Sequence, residues 1–424
     1  MKRHRALAWV ALLAPIFSAA CSSNAPNASA PSLHDGSVTG ESDVSSAADG
    51  QSASAGPADG AAADASAPGS ADASSSDASL PEDAPAVCAD TRPQLTDAEA
   101  DDYTILGYLA QGGNLLGGLT TDDWNPTAGL GDITTFVPSY VVAADAGAYT
   151  SVQSAISAAV ANGGANRVYI QVSPGTYRET VCVPANAPPI TLFGSGSDPT
   201  QTVITYGNYN GERHDAGAAV NACTSNAEAT YGTAGSATFA AFADDFEAIN
   251  LTFSNDVSVA TLSTTTGTQA VALMTEADKI VLQNVQVLGH QDTLYVETPS
   301  ADTVVRVYVK EATISGDVDF IFGGATAVFD GCQIEFVSDR RATGDVLSPD
   351  TDSRNPLGFL VNGGSFTADA NTGTGVVGLG RAWDRSCVNV PTYLSTCVAS
   401  GDYPNGQAVV RGSALGPQVA ADPW

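Results

Sequence analysis

"IVLQNVQVLG", residues 280–289, sets large apolar side chains on both sides of a central asparagine, and the chain repeats that arrangement. "FEAINLTFSN" (246–255), "VYVKEATISG" (307–316), "AVFDGCQIEF" (327–336) and "FLVNGGSFTA" (359–368) align with it so that Asn250, Asn284, Glu311, Gly331 and Gly363 share one column. These positions lie 34, 27, 20 and 32 residues apart, and an apolar residue follows each by three: Phe253, Val287, Ile314, Ile334 and Phe366. An uneven period of a few tens of residues with short apolar strands predicts an all-β parallel β-helix, whose coils stack and whose loops vary in length. A β-sandwich would need tight hairpins, and Asn-Gly or Asp-Gly signals between neighbouring strands are sparse.

Helical text is confined to the region before residue 165. In "TDAEADDYTILGYLAQGG" (96–113), Thr96 and Glu99 form a capping-box pattern and Gly112 is a stop signal, which predicts one helix that covers the open end of the solenoid. A second helix is predicted in "SVQSAISAAVANGG" (151–164), with Val152, Ile156 and Val160 on one face.

The first twenty residues run from basic "MKRHR" through apolar "ALAWVALLAPIF" to small "SAA" just before Cys21, the order of a secretory signal. The apolar run is shorter than the ~20 residues that cross a bilayer. Cys21 stands where a bacterial lipoprotein is cleaved and acylated. Ordinary signal cleavage is the alternative. Residues 22–87 are mostly Ala, Ser, Asp, Gly and Pro, a composition that cannot offset the entropy of ordering. The expected organisation is a signal peptide at 1–20, an anchor site and disordered linker at 21–90, and a catalytic domain at 91–424. An exported protein is expected, held by a lipid anchor at the outer membrane or cell surface, or otherwise secreted, and acting as a monomer.

Forty-six acidic against sixteen basic residues give a net charge of −30, which disfavours nucleic acid. Six cysteines follow Cys21, and they allow fifteen pairings. Cys387 and Cys397, bracketing a short segment, are the expected pair. No Cys/His spacing suggests zinc, and neither a metal nor a cofactor is expected.

Chemistry concentrates in "GTQAVAL" (267–273), "GHQDTLYV" (289–296) and "GDVDFIFGG" (316–324). Gln269 precedes Gln291 by 22 residues and Asp292 precedes Asp319 by 27, each close to one coil, and stacked coils place such residues about 4.8 Å apart. The result would be a cluster of two carboxylates and two amides. Adjacent carboxylates titrate as a coupled pair with one pKa raised, and Arg381 in "GLGRAWD" (378–384) is the cation that would decide which acid stays ionised. Such a group can act as nucleophile plus general acid, with the glutamine amides facing an oxyanion. Asp residues that merely cap turns, and amide ladders that merely support a β-helix, are the alternative from spacing alone.

"PGTYRETV" (174–181), "TQAVALM" (268–274), "HQDTLYV" (290–296), "DVDFIFG" (317–323) and "LGRAW" (379–383) resemble, in this order, the signature segments of pectin methylesterases, and "VVAADAGAYTSVQSAISAA" (141–159) resembles the start of their domain. The resemblance covers roughly 138–424 and, with the leader, is nearest the bacterial outer-membrane lipoprotein branch. It implies a right-handed parallel β-helix that hydrolyses galacturonate methyl esters of pectin or oligogalacturonides. Asp319 would be the nucleophile and Asp292 the acid and then the base. Gln291 and Gln269 would stabilise the anionic intermediate, and Arg381 would hold the nucleophile. Trp383, Tyr295 and Phe322 would line the sugar groove, with Arg340 as a further candidate for binding substrate. Tyr177 and Glu179 belong to a family motif but are read as structural, and His290 is read as a cap or solvent-facing residue. Met274, Ala382 and Ala312 depart from common family residues. Ala312 removes a cysteine that would pair near Cys332, leaving Cys332 free or differently bonded. The rival readings are an esterase or thioesterase for another acyl substrate, and a non-catalytic cell-surface carbohydrate-binding β-helix. A serine esterase is disfavoured by the lack of G-x-S-x-G.

Overall fold

The aligned column is a column of turns. Asn250, Asn284, Glu311, Gly331 and Gly363 all adopt left-handed backbone, with φ of 60°, 48°, 51°, 66° and 71°, and Gly412 joins them at 63°. Glycine enters this region freely and asparagine at low cost, which accounts for most of the column. Each turn ends a strand of one sheet and starts a strand of the next. The computed structural model describes residues 95–144, 149–214, 220–225, 228–352, 354–383 and 406–424, all within the unit Glu82–Trp424.

Three parallel sheets wrap these coils. The first has nine strands, from Tyr140–Val142 through Ile280–Gln283 to Ala408–Arg411. The second has eight, from Gly175–Arg178 to Ala414–Leu415, and the third has seven, from Val181–Val183 to Val377–Gly380. The apolar residues three places after each turn stack in register, Phe253 on Val287, Val287 on Ile314, Ile314 on Ile334 and Ile334 on Phe366. Their side chains share one core with Phe239, Phe246, Phe329 and Phe359, all fully buried.

The cap of the solenoid is the second predicted helix, Val152–Asn162, not the first. Ser151 is its N-cap, Gly163 its C-cap, and Val152, Ala155, Ile156 and Ala159 enter the main core beside the first strands of the sheets. Glu179 accepts from the amides of Val152 and Gln153 at 2.8 and 3.0 Å, and Tyr177 donates its hydroxyl to Ser173 O, so both are structural as read. The earlier segment breaks in two. Thr96 and Glu99 make the expected capping box around Asp97–Ala100, but Thr104 caps a separate turn, Ile105–Leu109. A second N-cap eight residues after the first competes with continuation of the helix. Tyr108 and Leu109 then pack on Val281, Tyr308, Val328 and Leu360, residues of the first sheet, so this piece covers a flank.

Arg306 bolts that flank in place. Its side chain is 2% exposed, pairs with Asp122 at 2.8 Å and Asp278 at 2.7 Å, and donates to Leu109 O at 2.9 Å. Cys182 and Cys223 form a disulfide, one of the fifteen open pairings, while Cys332 is buried as a free thiol that burial pushes up to about 12. Cys21, Cys88 and the expected Cys387–Cys397 pair lie outside the described residues.

Arg306→Met removes the guanidinium shared by Asp122 and Asp278, leaving Asp122 with Lys279 at 3.0 Å, and is expected to cost about 3 kcal/mol. Limited proteolysis should then cut first between residues 100 and 135. A melting temperature and cleavage pattern like those of the unaltered protein would show that the clamp carries no load.

Candidate active site

The third sheet positions the acids. Leu294 stands in register with Ile321 and Tyr295 with Phe322, so Asp292 and Asp319, each two residues before, occupy equivalent places in consecutive coils. Both take left-handed backbone, with φ of 64° and 48°, at the bend leading into their strands. The backbone ladder continues through them: Asp292 N donates to Val318 O at 3.0 Å and Asp319 N to Asp345 O at 2.7 Å. Gly316 permits the close approach, since a Cβ there would lie 2.5 Å from His290 O and 2.2 Å from the Phe320 Cβ.

The two carboxyls differ in their partners. Arg381, just past the strand Val377–Gly380, grips both oxygens of Asp319: Nε donates to Oδ1 at 2.8 Å and Nη2 to Oδ2. Such a bidentate, charge-assisted pair fixes the orientation of the carboxyl it holds. Asp292 is buried, and desolvation first, then the charge of Asp319, hold its pKa well above the usual carboxylate range. Asp345 is a third acid nearby, 3.8 Å from Arg381 Nε, and it is also raised by burial and by Asp319. The arrangement therefore sets two unlike carboxyls on adjacent coils, one gripped by a guanidinium and one buried with its pKa raised.

The amides are close by but not stacked as spacing suggested. Leu273 pairs with Leu294, a coil of 21 residues (294 − 273), so Ala270 rather than Gln269 meets Gln291, and Ala270 N donates to Gln291 O at 3.0 Å. Gln269 Oε1 accepts from Asn210 Nδ2 at 2.9 Å, and Gln291 Oε1 accepts from the Thr268 hydroxyl at 2.6 Å. Both NH2 groups are thereby left on the branches turned away from these partners.

Tyr295 and Phe322 stack with centroids 4.1 Å apart, and Trp383 meets them edge-on at 6.2 and 5.5 Å. In-register stacking covers Tyr295 (8% exposed) and Phe322 (2%), while Trp383 is half-buried and packs against both. Arg340 departs from expectation. Its side chain is only 2% exposed and forms a bidentate pair with the fully buried Asp317 at 2.6 Å for both contacts, so it does not present its charge to a groove. His290 Nε2 lies 3.1 Å from Asp339 at the edge of the site. Thr268, Asp317, Asn210 and Asp345 were not singled out from sequence. Thr268 and Asp317 lie within quoted motifs, while Asn210 and Asp345 arrive from distant loops and gave no local signal.

With fold and site in view, comparison with known proteins is direct. The Pectinesterase family model matches residues 139–404. A pectinesterase of Ralstonia solanacearum is 46% identical over 80% of this chain and 85% of its own. Rice weevil pectin methylesterase superposes with a TM-score of 0.64 at 30% identity, covering 79% of this chain and 88% of that one. The Escherichia coli protein YbhC superposes with a TM-score of 0.66 at 30% identity, covering 82% and 87%. The fold is that of a β-helical ester hydrolase. The chain belongs to the pectinesterase family and has its right-handed parallel β-helix.

Since the folded-state pKa of Asp292 is raised, its burial costs nothing below the unfolded carboxylate value of about 4 and progressively more as pH climbs from there to the folded value. Asp292→Asn, neutral throughout, is expected to raise the melting temperature by a margin that widens as pH rises from about 4 towards the raised folded-state value. A margin independent of pH would contradict the raised pKa.

Proposed function

We propose that this protein hydrolyses methyl esters of galacturonate in pectin or oligogalacturonides and releases methanol. The observation that carries the reading is the pair of unlike carboxyls on adjacent coils, Asp319 gripped by Arg381 and Asp292 buried beside it. Asp319 attacks the ester carbonyl carbon, and the amides of Gln291 and Gln269 receive the charge that develops on the carbonyl oxygen. As the intermediate collapses, Asp292 gives its proton to the departing methoxide, and methanol leaves. The substrate acyl group now forms an anhydride with Asp319. Asp292, now a carboxylate, takes one proton from water, whose oxygen attacks the acyl carbon and frees the Asp319 carboxylate and galacturonic acid, which gives its remaining carboxyl proton to solvent. One residue thus serves as acid and then as base, which suits a raised pKa. Trp383, supported by Tyr295 and Phe322, offers an apolar face for a sugar ring beside the acids.

The motifs, the 46% identity to a pectinesterase and the bidentate Arg381 support this reading over a binding module, which has no use for two unlike carboxyls facing an acidic polymer. Methanol release from methylated pectin tests it. Asp319→Asn is expected to lower kcat by about 10³-fold or more with the fold retained. Equal activity in the two proteins would remove the mechanism.

We further propose that residues 1–20 direct export and that Cys21 is acylated, on the strength of the tripartite leader and the long Ala/Ser/Asp-rich stretch that follows it. In a Gram-negative host the full chain should take up labelled fatty acid and sediment with membranes, and Cys21→Ala should lose the label. An unlabelled full chain in the soluble fraction would leave ordinary secretion.

A further inference from the structure

A buried ion pair rarely stabilises a fold more than apolar residues of the same volume would, so one placed behind a reactive site calls for an account of what else it touches. Arg340 and Asp317 make such a pair, with side chains 2% and 0% exposed. Arg340 Nε and Nη2 occupy the two carboxylate oxygens of Asp317 at 2.6 Å each, and the remaining nitrogen, Nη1, donates to the Thr268 hydroxyl oxygen at 3.3 Å. A guanidinium has no acceptor, so the Thr268 oxygen receives this bond and its own proton is left to donate. At 2.6 Å lies Gln291 Oε1, and among the described residues the hydroxyl has no other hydrogen-bond partner.

The chain of donors has a direction. It begins at a charge that cannot be neutralised, passes through one hydroxyl, and ends on the carbonyl branch of an amide. The reversed amide would place two donors on one hydroxyl and leave the hydroxyl proton without an acceptor. The relay therefore sets which branch of Gln291 faces Thr268 and which is free, and a charged first donor polarises the bonds that follow. We propose that Thr268, itself oriented by the buried Arg340–Asp317 pair, is a positioning residue that locks Gln291 with its NH2 group presented to the reacting ester. The inference rests on the role given above to Gln291, and it supplies the reason that a flexible, uncharged side chain holds one orientation.

Thr268 is the informative place to cut the relay. Removing Arg340 or Asp317 leaves a lone buried charge that also acts on Asp292, because Asp317 raises and Arg340 lowers its pKa. Thr268→Val keeps both charges and the side-chain shape, and deletes only the hydroxyl. Loss of an oxyanion donor outright costs about 10²–10³ in kcat, so loss of its orientation is expected to cost about tenfold. In methanol-release assays on methylated pectin, Thr268→Val should lower kcat by about that factor, with KM within about twofold and the melting temperature nearly unchanged. Thr268→Ser, which restores the hydroxyl, should recover activity to within about twofold. In a Gln291→Ala background, Thr268→Val should subtract nothing further, since its effect passes through that amide. If valine disturbs folding, Thr268→Ala against Thr268→Ser gives the same comparison. Full kcat in Thr268→Val, no recovery by serine, or the same loss with and without Gln291 overturns the proposal. An unimpaired Gln291→Ala enzyme would strike the oxyanion reading itself. An impaired Gln291→Ala with an unimpaired Thr268→Val strikes only the role of Thr268.

Discussion

In-register hydrogen bonding between successive coils is the constraint on which this molecule depends. The third sheet carries Asp292 and Asp319 on neighbouring rungs, and three backbone bonds hold the register there: Asp292 N to Val318 O, Leu294 N to Phe320 O, and Asp319 N to Asp345 O. A slip of one residue would exchange inward and outward positions along the rung and carry the acids into different surroundings. The hydrophobic ladder of Phe253, Val287, Ile314, Ile334 and Phe366 resists that slip from inside. Apolar packing thus sets the distance between two charges it never touches.

The electrostatics then follow from a shortage of cations. Asp292, Asp319 and Asp345 gather near one guanidinium, and Arg381 gives both its short contacts to Asp319. The other two carboxyls are left with burial and a neighbouring negative charge, and both are raised. A second guanidinium, Arg340, is close enough to influence Asp292 but is committed to Asp317. Two acids of the same chemical type acquire unlike surroundings from the allocation of two arginines.

Much of the fold was legible because the left-handed turns demand residues that can adopt them. Asn250, Asn284, Gly331 and Gly363 announced the coil boundary, and the residue three places later announced the core. The 27-residue interval between the two aspartates matched the true coil. The 22-residue interval between the glutamines missed by one, because that coil is 21 residues long and its offset already holds at Ala270, which donates to Gln291 O. Arg340 reads as a candidate for binding substrate because its partner Asp317 belongs to another coil, and burial of that kind is decided by packing rather than by local pattern. The same applies to Phe322, hidden by stacking on Tyr295, and to the first helix, where Thr104 interrupted what Thr96 had begun. The links Asn210–Gln269 and Cys182–Cys223 span 59 and 41 residues and left no trace in the chain text.

The corners of the solenoid are unequal. Seven of the eight passages from the first sheet to the second consist of two residues, as between Ile249 and Thr252 or Gln283 and Gln286. Passages from the second sheet to the third range from two residues, between Arg178 and Val181, to the long excursion from Tyr206 to Phe239 that contributes Asn210. The corner bearing both acids is thus also one where the scaffold admits extra chain without disturbing the ladder. Descent within such a lineage can lengthen, trim or replace the walls of the cleft while the acids keep their spacing, so accommodation of different polymers need not compete with the chemistry.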